Sequence, residues 1–213
     1  MLAPQNAQAV IPDSKEIVFQ ILRNGSDFGE HRVAFDKQGD KTNVQIDINM
    51  KYALGPVALF RYEHSNEEQW KGDTILSMDS QTYDDGDDYN VNASWGNALT
   101  VQVNGESFET SPQFYSTSYW NPVTLEADKL LNTQKGQVED IEVTYVGRED
   151  FTTGVETLQA DRYQIESKVP IEVWYDAKTR QWVGLAFNVR GSEIEYKRLT
   201  PISGETQHSS RVN

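Results

Sequence analysis

No cysteine occurs among the 213 residues, so the chain can build neither a disulfide framework nor a thiolate metal site. Positive charge is scarce: 19 Lys and Arg stand against 33 Asp and Glu, leaving a net charge of −14 and a pI near 4.6. Nucleic-acid binding needs a basic stripe that releases counterions from phosphates, and the few cations here are scattered. The same deficit sets the chain against an anionic membrane surface. Apolar residues make up 37% and mean hydropathy is −0.65. Both argue against the lipid-facing band of a membrane barrel, and no run is long enough for a transmembrane helix.

Catalytic signatures are equally sparse. No glycine-rich phosphate loop follows a strand and opens a helix, Gly-x-Ser-x-Gly is absent, and no Ser/His/Asp order stands out. One of the three histidines, His208, lies in a tail without periodicity, so a multi-histidine metal site is out of reach. The acidic stretch Asp79 to Asn90 fails as a calcium loop because Gln81 and Tyr83 occupy positions that ligands would need; it reads as an acidic hairpin turn. No metal and no cofactor is implied.

What is present is strand periodicity. In Val44 to Tyr52 every even position is apolar, and of the odd ones all are polar. Successive strand side chains point to opposite faces, so this ribbon has one dry side and one wet side. The beat returns in Leu99 to Val103, Ile141 to Tyr145, Ile171 to Tyr175 and Val183 to Val189. The expected fold is therefore all-β and mainly antiparallel: a curled meander of about eleven strands forming a barrel or half-barrel, in one domain over residues 15–203. Turn signals punctuate it, among them Asn24-Gly25 and Asn104-Gly105. Residues 1–14 and 204–213 are expected to be loose. Ala7-Gln8-Ala9 reads either as the cleavage box of a partial secretory signal, which would place the protein in a bacterial periplasm or outside the cell, or as part of an ordinary polar N-terminus.

Ser111 to Gln134 breaks the rhythm. Asn121-Pro122 can cap a short helix there, with Leu125, Leu130 and Leu131 on one side, and the segment is expected to plug or cover the sheet. Tyr115, Tyr119 and Trp120 suit either a lid over an apolar ligand or a plain hydrophobic plug, the plug being the simpler.

The best constellation is the strand Ala58 to Trp70. Unbroken, it puts Phe60, Tyr62, His64, Asn66, Glu68 and Trp70 on one face, with His64 and Glu68 about 13 Å apart at ~3.3 Å per residue. The plainer reading makes Ser65-Asn66 a bulge or turn and leaves His64 and Glu68 on a rim. His31 shares parity with Val33 and Phe35 and points inward; a lone histidine on such a face is usually a core residue.

Taken in order, Arg23-Asn24-Gly25-Ser26, Gly29 to Val33, Tyr62-Glu63-His64 with Glu68-x-Trp70, Lys71-Gly72-Asp73, Ser118 to Asn121, Leu131 to Gln134 with Gly136, Arg162-Tyr163, Trp174-Tyr175-Asp176 and Gly191-Ser192-x-Ile194 resemble a proteobacterial family of exported domains of unknown function, over about residues 16 to 198. That resemblance implies a secreted β-domain without an established activity. In architecture alone the meander with its covering segment is similar to periplasmic lipoprotein carriers and lipid-binding half-barrels.

These observations point first to a non-enzymatic carrier for an apolar or amphipathic small molecule such as a lipid. Phe60, Tyr62, Trp70, Tyr119, Trp120 and Trp174 would line the hollow, and Arg162 or His64 would meet the head group. A second class is a barrel enzyme with His64 or His31 acting with Glu68 as acid and base, which requires these groups to converge in one cleft. A third is an assembly module that pairs a partner strand along an exposed sheet edge. No partner protein is specified.

Overall fold

The computed structural model describes residues 11–54 and 57–202. The N-terminal Ala7-Gln8-Ala9 box and the tail from residue 203 lie outside the described residues, as does His208. The first meander runs through β1 (Glu16–Arg23), β2 (Ser26–Gln38), β3 (Lys41–Leu54), β4 (Val57–Lys71), β5 (Thr74–Asp84), β6 (Asp87–Trp95), β7 (Leu99–Val103) and β8 (Glu106–Thr110). An irregular insertion follows, holding β9 (Tyr115–Ser116), a 3₁₀ turn at Pro122–Glu126, β10 (Lys129–Leu131) and β11 (Val138–Asp140). A second meander completes the chain with β12 (Glu142–Thr152), β13 (Thr157–Glu166), β14 (Ile171–Asp176), β15 (Trp182–Val189) and β16 (Ser192–Arg198).

The two meanders form one sheet because β16 pairs antiparallel with β1, Tyr196 opposite Ile21. The result has thirteen strands in the order β12-β13-β14-β15-β16-β1-β2-β3-β4-β5-β6-β7-β8, curled but open between β12 and β8. Thirteen replaces the expected eleven or so because β8 follows the Asn104-Gly105 turn directly and carries almost no apolar alternation. Asn24-Gly25 and Asn104-Gly105 each take positive φ at both residues, at 49° and 76° and at 49° and 92°. That is the two-residue hairpin whose twist matches its strands.

Alternation places the core. Val44, Ile46 and Ile48 on β3 are buried with Val33 and Phe35 on β2 and with Ile17, Phe19 and Ile21 on β1. Gln45, Asp47 and Asn49 point the other way. The insertion folds into the curl rather than over it: Trp120 packs edge-on to Phe35 at 5.0 Å and to Trp70 at 5.3 Å between ring centres. Asn121 caps the 3₁₀ turn as expected, its Oδ1 accepting from the Val123 amide at 3.1 Å. Leu130 and Leu131 belong to strand β10 and not to that turn. Gly136 sits against the inner face of β6 and β7 with φ of 67°, where a Cβ would meet Val103 at 2.3 Å.

Candidate functional site

Strand β4 pairs without a shift from Arg61 to Gln69, so the expected break at Ser65-Asn66 does not occur; register shifts fall instead at Tyr52/Ala53 and Gln69/Trp70. Tyr62, His64, Asn66, Glu68 and Trp70 all face the interior and are buried, which corrects the reading that leaves His64 and Glu68 on a rim. The reason is visible at Asn66, whose amide nitrogen donates to Glu68 Oε1 at 3.0 Å and so gives a buried polar side chain a partner.

Glu68 is the hub of this face and only 2% exposed. Besides Asn66, it accepts from Trp70 Nε1 at 2.8 Å and from Ser118 Oγ at 2.5 Å, with Trp120 Nε1 at 3.5 Å. Two of these donors belong to the sheet and two to the insertion. Among the described residues no cation pairs with this carboxylate, so directed N–H and O–H groups stabilise it. His64 supplies a second tie, with Nδ1 2.8 Å from Thr82 Oγ1 and Nε2 3.4 Å from Thr133 Oγ1 of the insertion. Ser80 adds a third by donating to the Thr133 carbonyl at 2.5 Å.

His31 points inward as expected, but it stands apart. Its ring lies edge-on to Trp182 and Tyr196 at 5.3 and 5.5 Å, and neither nitrogen has a hydrogen-bond partner among the described residues. Burial, with a smaller contribution from nearby His64, holds its pKa down at about 3, and burial lowers His64 to about 4. Both imidazoles are therefore neutral at pH 7. No hydrogen bond joins His31, His64 and Glu68 among the described residues, so the convergence an acid–base pair requires is not formed.

One end of the curl is different. Its register brings Met50 and Phe60 to one side, and Val143, Phe187 and Val189 to the other. All five are half-buried and pack on the same core cluster. Phe28 stacks on Phe60 at 5.5 Å. Beneath them Tyr62 is 5% exposed, and its hydroxyl has no hydrogen-bond partner among the described residues. Burial raises this phenol well above its ordinary pKa, as it also does for Tyr119 and Tyr196.

The remaining expected residues divide cleanly. Trp70 and Trp120 are sealed, at 0% and 2% exposure, and belong to the plug contact. Tyr119 is half-buried near Trp182, with its carbonyl accepting from Tyr175. Arg162 and Trp174 pair with each other on the opposite face of the sheet, so neither lines the hollow. There Arg162 is bonded to Glu172, and Trp174 donates to Glu149 at 2.8 Å. Sequence reasoning missed Ser118 and Thr133, whose polar side chains become informative only once the insertion lies inside, and Met50, whose parity with Ile48 would have found it. Open space also exists on the wet face, where a cleft of about 940 Å³ runs past Asn43, Gln45, Glu67, Asp79 and Gln102.

A family model described as "Domain of unknown function (DUF6134)" matches residues 19–199. No curated protein matches the chain. Among solved structures, the chain is similar to a beta-barrel-like protein of domain of unknown function DUF1849 from Brucella abortus, at 7% identity and a TM-score of 0.60, covering 87% of this chain and 95% of the other. LprF from Mycobacterium bovis aligns at 13% identity over 90% and 87% of the two chains, and its TM-score of 0.34 carries no argument. The Brucella likeness shows the fold alone.

Proposed function

The chain belongs to the DUF6134 family of domains of unknown function, and from that premise we propose that it is a non-enzymatic, exported binding or carrier protein for an apolar or amphipathic, lipid-like molecule. One observation carries the reading. Met50, Phe60, Val143, Phe187 and Val189 each lie half-buried against the core at one end of the curl, which also holds a buried Tyr62 hydroxyl without a hydrogen-bond partner among the described residues. Apolar surface left partly wet gains roughly 25 cal/mol per Å² on being covered, and a buried unsatisfied hydroxyl favours a ligand with a polar end. The seat lies at the mouth, since the insertion fills the middle of the curl. The neutral imidazoles and the separation of His31, His64 and Glu68 favour binding over catalysis. Export rests on the family resemblance and on the Ala7-Gln8-Ala9 box.

Native mass spectrometry of the full chain, purified without detergent and then extracted with organic solvent, tests the proposal. A single copurifying amphiphile released on extraction is expected. A protein that carries nothing and takes up nothing from offered lipid extract would remove it.

A further inference from the structure

Both residues expected to meet a head group are engaged elsewhere. His64 is held between Thr82 and Thr133, and Arg162 lies on the outer face with Glu172. A different cation stands at the apolar end of the curl. On β1, Arg23 follows Phe19 and Ile21 in the inward file and faces the buried Ile194 of β16. Its guanidinium lies over the Phe28 ring at 5.7 Å and the Tyr52 ring at 5.4 Å, and Phe28 stacks in turn on Phe60 at 5.5 Å. On its other flank Arg23 Nε donates to Ser192 Oγ at 2.9 Å. Ser192 faces Val189 across the β15–β16 turn, and Ile194 faces Phe187. Arg23 therefore bridges the two halves of the apolar set, with Phe60 on one side and Phe187 and Val189 on the other.

What this side chain lacks is an anion. Arg32, Arg61, Arg148, Arg162 and Arg180 each pair with a carboxylate. Neither terminal nitrogen of Arg23 has a hydrogen-bond or ion-pair partner among the described residues, in a chain with 33 acids. The acids on the adjoining strands face the other way. Asp27 registers with Leu22 and accepts from Gln20 at 2.9 Å on the outer face, while Glu193 and Glu195 alternate with the buried Ser192 and Ile194. Two rings and the Ser192 hydroxyl thus hold the guanidinium plane and leave its outer fork open. Such a fork matches paired oxygens of a carboxylate or phosphate, and a neutral head cannot supply the charge. An alkyl chain on that oxyanion can lie along the half-buried Phe60, Phe187 and Val189. We propose that Arg23 receives the oxyanion head of a single-chain amphiphile, so that the ligand of this end is an anionic lipid. This rests on the binding reading above and adds the charge of what is bound.

The test is equilibrium uptake of radiolabelled hexadecanoate, hexadecyl phosphate and hexadecanol by the full chain, at about pH 8 where both acids are ionised, alongside Arg23→Gln. Wild-type protein is expected to bind at least one of the anions about tenfold or more tighter than the alcohol of equal chain length, the tighter anion showing which head the fork selects. Arg23→Gln is expected to lose that preference and to bind hexadecanol as before, with its far-UV circular dichroism unchanged. Equal binding of alcohol and anions by the wild-type protein overturns the proposal and leaves the binding reading standing. So does an anion preference that survives in Arg23→Gln, or a loss of all three ligands together in that variant, which marks a packing role. Uptake of none of the three by the wild-type protein removes the binding reading and the proposal with it.

Discussion

Ser118 donates its hydroxyl proton to Glu68 Oε1 at 2.5 Å across 50 residues of sequence, and so a carboxylate on β4 holds the insertion inside the curl. Asn66, Trp70 and Trp120 turn their N–H groups to the same carboxylate. A hydrogen bond to a buried carboxylate contributes more than one between neutral groups, and losing one end leaves the other unsatisfied.

Removing either partner therefore loosens the insertion. Ser118→Ala is expected to destabilise the fold by about 1–3 kcal/mol, and Glu68→Ala by about 3 kcal/mol or more, since it strands the donors of Asn66, Trp70 and Trp120. Urea unfolding gives the magnitudes. Hydrogen exchange on Ser118→Ala gives the location: amides of residues 115–140 are expected to lose protection while the β1–β3 amides keep theirs.

The two interior histidines set an acid dependence. Their native pKa values of about 3 for His31 and about 4 for His64 lie below the ordinary value of 6.5. Between those limits the unfolded chain binds protons that the native one does not, so stability falls as pH drops from about 6.5 toward 4. At pH 4.5 each histidine is expected to cost about 2–3 kcal/mol relative to neutral pH. His31→Phe, which suits the Phe19, Trp182 and Tyr196 surroundings, is expected to flatten the curve of urea midpoint against pH in this window. An unchanged slope would show that carboxylates alone set it.

Gly136 tests how tightly the insertion meets the sheet. Its φ of 67° and a Cβ position 2.3 Å from Val103 leave no room for a side chain. Gly136→Ala is expected to cost about 2 kcal/mol or more in chemical unfolding, and the second change Val103→Ala is expected to recover part of that loss. Absence of any recovery would mean that backbone strain, not the Val103 contact, carries the cost.

Much of this architecture can be read in the residues themselves. The alternation of Val44 to Tyr52 fixes a one-sided strand, Asn24-Gly25 fixes its hairpin type, and Asn121-Pro122 marks the short turn in the insertion. Trp174 shares its strand parity with Glu172 and Asp176 on β14 and alternates with the buried Val173 and Tyr175, so its outward position is legible in the sequence, against the expectation that it lines the hollow. Other features were not legible. Ser65-Asn66 looks like a break because His64, Asn66 and Glu68 put three polar residues in a row on an otherwise apolar face, and the bond from Asn66 to Glu68 helps explain why the strand runs on. The partners of Glu68 and His64 on the insertion depend on where an irregular segment comes to rest, which no local pattern encodes.

The mouth lined by Met50, Phe60 and Phe187 is where the account is most exposed, and binding of cis-parinaric acid to the full chain tests it most directly. A saturable rise in probe fluorescence at one equivalent, abolished by Phe60→Glu and unaffected by Trp174→Phe on the outer face, is the predicted result. No saturable binding, or equal binding by Phe60→Glu, would contradict it.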